Sequence, residues 1–235
     1  MNLLFLGDSI TDCHHCFTAD NLGNGYVKMI QNSCAGTHHV VNGGIDGATF
    51  PGIFRKWTLQ YQTCLFDIVS VLGGINEVGA IMDSHMTDSQ IDRLLTQSFQ
   101  SLHDLLAALI TTHVPLILLP EPFLFPYPAY LNAWMPYLQK VRYMIRDTAF
   151  SVCREFHDCV CQEFALLSTP ETTETAMLQC RSRIVLIPLQ PSLNAYAEAH
   201  GFSSVTSDGI HPTQQGHELI CECLRSCLRP NLRPE

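Results

Sequence analysis

Short, almost unbroken apolar runs recur along the chain at Leu3–Leu6, His39–Val41, Ile68–Leu72, Pro115–Leu119 and Ile184–Pro188. The first, third and fourth are nearly continuous Leu, Ile, Val and Phe, the pattern of strands buried on both faces. Between them lie amphipathic segments that read as helices: Gly25–Ser33, Ile53–Cys64, Ser89–Thr111, Asn132–Glu155, Pro191–His200 and Thr213–Leu228. Thr87-Asp88 and Thr213 look like helix starts, and Pro51 suits a first-turn proline. Strand and helix alternating in this way predict a three-layer α/β/α sandwich around a central, mostly parallel, five-stranded sheet.

No internal repeat or low-complexity linker divides the 235 residues, so residues 1–235 are expected to form a single domain. A polar stretch around 166–183, including Ser168-Thr169-Pro170-Glu171, breaks the alternation and reads as a surface insertion. Apolar residues make up 46% and charged residues 15%, a globular composition. The formal net charge of −9 argues against nucleic acid or an anionic membrane surface as the main partner. The longest apolar runs fall far short of the roughly 20 residues of a membrane span. The opening MNLLFLGDS lacks a basic region and a long apolar core, so no secretory leader is expected. The 11 cysteines are odd in number and scattered. They read as reduced thiols serving as small apolar side chains, which makes a cytoplasmic location the expectation.

Candidate chemistry collects where strands end. Gly7-Asp8-Ser9-Ile10-Thr11-Asp12 follows the first run, Asn42-Gly43-Gly44-Ile45-Asp46-Gly47 the second and Gly73-Gly74-Ile75-Asn76-Glu77 the third. Asp208-Gly209-Ile210-His211-Pro212 precedes the final helix. In doubly wound sheets ligands bind beyond the carboxyl ends of the strands, so these segments share one side of the molecule. A serine hydroxyl is a poor nucleophile until an imidazole takes its proton, and the imidazole needs a carboxylate to hold its tautomer. Ser9, His211 and Asp208 supply those three groups.

In this order the four blocks resemble the SGNH (GDSL-type) hydrolases over nearly the whole chain. The longer forms around Ser9 and His211, with Glu121-Pro122 after the fourth strand, are similar to small bacterial carbohydrate acetylesterases. The resemblance implies a flavodoxin-like fold and an ester hydrolase working through an acyl-serine, without metal or organic cofactor. Ser9 would be the nucleophile, His211 the base and Asp208 its orienting carboxylate. The backbone N–H groups of Ser9 and Gly47 and the side-chain amide of Asn76 would form an oxyanion hole. Loss of one such donor typically costs about 2.7–4 kcal/mol of transition-state stabilisation. Two positions depart from the family pattern: Glu77 replaces a usual Asp, and Asp46 replaces a frequent Ser.

The expected partner is a small-molecule or oligosaccharide ester. Asp8 reads mainly as a brace for the nucleophile turn, with substrate contact as a second role. Asp12 is a brace or a substrate contact, and His14 and His15 are substrate contacts beside the nucleophile. Phe123 and Trp134, with the aromatics between them, are expected to form an acyl- or sugar-facing wall, with a dimer contact as their other use. Cys13-His14-His15-Cys16 has metal-ligand spacing but lacks a comparable second pair, so no metal is assigned. His217 reads as a surface or packing residue. The rival readings are a lysophospholipase or thioesterase acting on longer chains, an inactive sugar-binding module, and an acyltransferase.

Overall fold

The computed structural model describes residues 1–34, 38–164 and 180–228. Its sheet has six strands rather than five: β1 (Asn2–Gly7), β2 (His39–Gly44), β3 (Ile68–Leu72), β4 (Leu116–Pro120), β5 (Cys159–Glu163) and β6 (Ser182–Ile187). They run in the order β2-β1-β3-β4-β6-β5, and every pairing is parallel. The added strand is β5, at the sheet edge. Its sequence CVCQE carries no continuous apolar run, and only Cys159 in it is buried, so the pattern of a central strand is missing. Most of the polar stretch at 166–183 lies outside the described residues, and its last two residues, Ser182 and Arg183, open β6.

The helices are α1 (Ser9–Asp12), α2 (Tyr26–Ser33), α3 (Phe50–Lys56), α4 (Ile75–Asp83), α5 (Asp88–Thr111), α6 (Met135–Glu155), α7 (Gln190–His200) and α8 (Gln214–Leu228). Two apolar cores cover the faces of the sheet. One is built on Leu4, Leu6, Val69, Ile117 and the inner sides of α5 and α6. The other joins Leu3, Phe5, Leu118 and Ile187 to α2, α7 and α8. Alternate β1 side chains feed opposite cores, as the two-residue period of a strand requires. That explains why Leu3, Leu4, Phe5 and Leu6 are all fully buried. Because all strands are parallel, the carboxyl ends of β1, β2 and β3 lie along one edge of the sheet and deliver their loops side by side.

Candidate active site

The site grows from the end of β1. Asp8 is the N-cap of α1 and its Oδ1 accepts from the Ile10 N–H at 3.0 Å, which turns the chain sharply so that Ser9 stands at the helix start. Cys13 and His14 leave α1 in left-handed conformations (φ 42° and 60°), a strain that the surroundings hold in place. Asn42, at the end of β2, donates its side-chain amide to the carbonyls of Thr11 (2.8 Å) and Leu22 (2.9 Å) and accepts from Gly44 N–H. This one side chain therefore ties the nucleophile segment to the neighbouring loop.

Ser9 and His211 are 202 residues apart, yet Ser9 Oγ lies 3.0 Å from His211 Nε2. His211 Nδ1 lies 2.7 Å from Asp208 Oδ2. Asp208 Oδ1 also accepts from the backbone N–H groups of Ile210 (2.9 Å) and His211 (2.7 Å). Partial burial works against the Asp208 charge, but the His211 ring and these two N–H groups outweigh it and hold the carboxyl below its usual range. An ionised carboxylate there fixes the proton of His211 on Nδ1 and leaves Nε2 able to accept from Ser9. Gly209 makes the turn feasible: at φ 92° a Cβ would stand 2.3 Å from the carbonyl oxygen of Tyr127.

Asn76 and Glu77, in the first turn of α4, both grip the loop that carries Gly47. Asn76 Nδ2 donates to the Ala48 carbonyl at 2.8 Å, and Glu77 Oε1 accepts from Phe50 N–H, also at 2.8 Å. Gly47 has φ 68° and is exposed, with open space where a side chain would project. A cleft of about 360 Å³ opens here, lined among others by Ser9, Asp12, His14, Asp46, His211 and Pro212.

The other sequence-predicted residues divide. Asp8 is buried, and burial pushes its carboxyl up to about 7; it braces the turn and does not reach solvent, so it is not a substrate contact. Asp12 and His14 line the cleft. Phe123 and Trp134 do not form a wall. Phe123 is fully buried in the α2/α7/α8 core and Trp134 is buried in the α5/α6 core. The segment after β4 turns back into the protein, held by Leu124 N–H on Gln190 Oε1 and Phe125 N–H on the Gly209 carbonyl. The Cys13-His14-His15-Cys16 side chains split three ways: Cys13 faces His217, His14 leans on Phe17, and His15 is buried against Asp12 and Cys16 and does not line the cleft, so it is not a substrate contact. Among the described residues no group of three or more His, Cys, Asp or Glu is placed to hold a metal ion. His217 is a packing residue, buried and accepting from Tyr26 N–H at 3.3 Å through Nδ1.

Asn42 opened the second block in the sequence but was given no role there; it is a positioning residue. Its signal was a polar side chain at the end of an apolar strand, directly before two glycines.

With the geometry in place, comparison with known proteins gives its class. The model of the GDSL-like Lipase/Acylhydrolase family matches residues 5–219. The chain belongs to that family. A curated relative, an acetylxylan esterase of Geobacillus stearothermophilus, is 35% identical over 86 residues, covering 32% of this chain and 39% of that protein. The chain thus matches well under half the length of that relative. Solved structures agree in fold over much more of the chain. Axe2, an acetylxylan esterase from Geobacillus stearothermophilus, superposes with TM-score 0.64 at 22% identity, covering 100% of this chain and 94% of that one. LAE5, an alpha/beta hydrolase enzyme from the metagenome of Lake Arreo in Spain, gives TM-score 0.71 at 20% identity, over 99% and 96%. A putative GDSL-like lipase from Parabacteroides merdae gives 0.69 at 18%, again over 99% and 96%.

Proposed function

We infer that the protein hydrolyses short acyl esters, acetyl foremost, carried on carbohydrate, through an acyl-serine intermediate. The reading is carried by the unbroken chain of contacts from Ser9 Oγ through His211 to Asp208 Oδ2, at 3.0 and 2.7 Å, on the wall of an open cleft. His211 Nε2 takes the Ser9 proton as Oγ attacks the ester carbonyl, then returns it to the leaving alcohol. Water enters by the same route, with His211 again as base, and frees the acid. The negative oxygen of the tetrahedral intermediate would be met by the N–H groups of Ser9 and Gly47 and by the free hydrogen of the Asn76 amide. The other hydrogen of that amide is spent on Ala48, which fixes its direction. None of these steps calls for a metal or organic cofactor.

The substrate class rests on two supports. The cleft beside Ser9 presents Asp12, His14 and Asp46, side chains suited to the hydroxyls of a sugar. The curated relative is an esterase of acetylated xylan. A reducing compartment such as the cytoplasm suits the 11 cysteines of the chain.

The test measures acetate release from acetylated xylo-oligosaccharides, alongside turnover of nitrophenyl esters of increasing chain length. Acetyl esters should be the best substrates, with turnover falling as the chain lengthens. Ser9→Ala should lower kcat by about a thousandfold or more while leaving the fold intact. Retained turnover in that variant would remove Ser9 from the mechanism, and a preference for long chains would overturn the acetyl reading.

A further inference from the structure

The segment that follows the nucleophile helix holds a second thiol–imidazole–carboxylate relay, separate from the Ser9 one. Cys16 Sγ lies 3.4 Å from His15 Nε2, and His15 Nδ1 lies 2.5 Å from Asp12 Oδ1. The roles are fixed by valence. Nδ1 facing a carboxylate carries the hydrogen, so the lone pair of the neutral ring is on Nε2, where it meets the thiol. His15 is buried and Cys16 is exposed, so the base is shielded while the sulfur is open to solvent. The Lys56 ammonium lies within electrostatic reach of Cys16 and Asp12, so charge that develops on the sulfur during attack meets a cation. A partly exposed sulfur beside a base and a cation is the setting in which cysteines react.

We propose that Cys16 is a second nucleophile of this protein, activated by His15 and Asp12, and a site of S-thiolation by low-molecular-weight disulfides. The step balances within the pair of reactants. His15 Nε2 takes the Cys16 proton, Sγ attacks one sulfur of a disulfide such as oxidised glutathione, and a new S–S bond forms as the old one breaks. Reduced glutathione departs as a thiolate and collects the proton from His15. Cys16 is oxidised and the leaving glutathione is reduced, so no further oxidant is needed. The proposal shares Asp12 with the cleft of the ester hydrolase reading but uses neither Ser9 nor His211, and its readout is thiol chemistry rather than ester turnover.

The chain contains its own control. Cys64 is also exposed, but among the described residues its thiol's hydrogen bond is to the Gln60 carbonyl, 3.9 Å away, with no imidazole beside it. The experiment treats the full chain with oxidised glutathione, and separately with iodoacetamide, and follows both cysteines by peptide mass spectrometry over time. Cys16 should react on the order of tenfold faster than Cys64 with either reagent. His15→Gln should bring Cys16 down to the Cys64 rate and leave Cys64 unchanged. Equal rates at the two cysteines in the unaltered protein would overturn the proposal, whatever the variant does. So would a fast Cys16 that His15→Gln does not slow, since exposure alone would then explain it. Should that variant fail to fold, Asp12→Asn serves instead. It keeps the ring and removes the carboxylate, and an unslowed Cys16 there also counts against the relay.

Discussion

Asp8 shows how a residue next to a nucleophile can contribute by not being charged. It is buried, only Oδ1 has a partner, and burial together with the nearby Glu77 carboxylate outweighs the Ile10 hydrogen bond in setting its protonation. Its carboxyl rises from 3.8 to about 7 on folding. The folded chain therefore binds this proton more tightly than the unfolded chain does. Stability attributable to Asp8 is full below pH 3.8 and falls as pH climbs through that window to about 7. Asp8→Asn keeps an oxygen for Ile10 N–H and cannot ionise. Thermal unfolding across the window should show a smaller loss of Tm with rising pH in the variant than in the parent. An identical slope would mean that Asp8 is not the group responsible.

Among the elements, the clamp of α4 on the loop between β2 and α3 ties structure to chemistry. Thr49, at the start of α3, makes no side-chain cap of its own; Glu77 reaches across from α4 to accept from Phe50 N–H instead. A Glu at this position has one methylene more reach than an Asp would have. Glu77→Ala would leave that N–H buried and unsatisfied, a cost of about 1–3 kcal/mol. It would also free the Gly47 loop, so kcat should fall further than KM rises. Glu77→Gln keeps an accepting oxygen and should recover most of both losses, measured by Tm and by ester kinetics. This clamp was only half legible in the chain. Gly74-Ile75-Asn76 stood out as a block, but it read as a loop, because glycines before an unmarked helix start give no sign that α4 begins at Ile75. The burial of Phe123 and Trp134 was hidden for a related reason. Aromatics in an irregular segment have no period to reveal which way they face, and it is hydrogen bonds to Gln190, Gly209 and Arg142 that hold that segment inward. The strands β1, β3 and β4 were plain, since fully buried strands are continuously apolar. The edge strand β5 was not.

Taken as a molecule, the protein brings together segments some 200 residues apart: Ser9 Oγ meets His211 across 202 residues of chain. The serine comes from residue 9 and the dyad from 208 and 211, and the helices behind them, α2 and α8, meet through His217. Its ring accepts from Tyr26 N–H and stacks on the Tyr26 ring, 6.2 Å between centroids. Burial first, and then the neighbouring His211, lower its pKa from 6.5 to about 4. Here the sign is opposite to that of Asp8: the unfolded chain binds the proton more readily, so stability is lost as pH falls from 6.5 towards 4. His217→Asn, which can still accept from Tyr26 N–H, should unfold less readily with acid over that range, as followed by circular dichroism. The Asp208 turn bears on how Ser9 and His211 meet. Its carboxylate is fastened to the backbone of the very histidine it steers, so acid and base travel as one cassette. Sliding that cassette away from the N-terminal half would switch the hydroxyl off without disturbing the imidazole's tautomer, and sliding it back would restore the relay with no proton to rearrange.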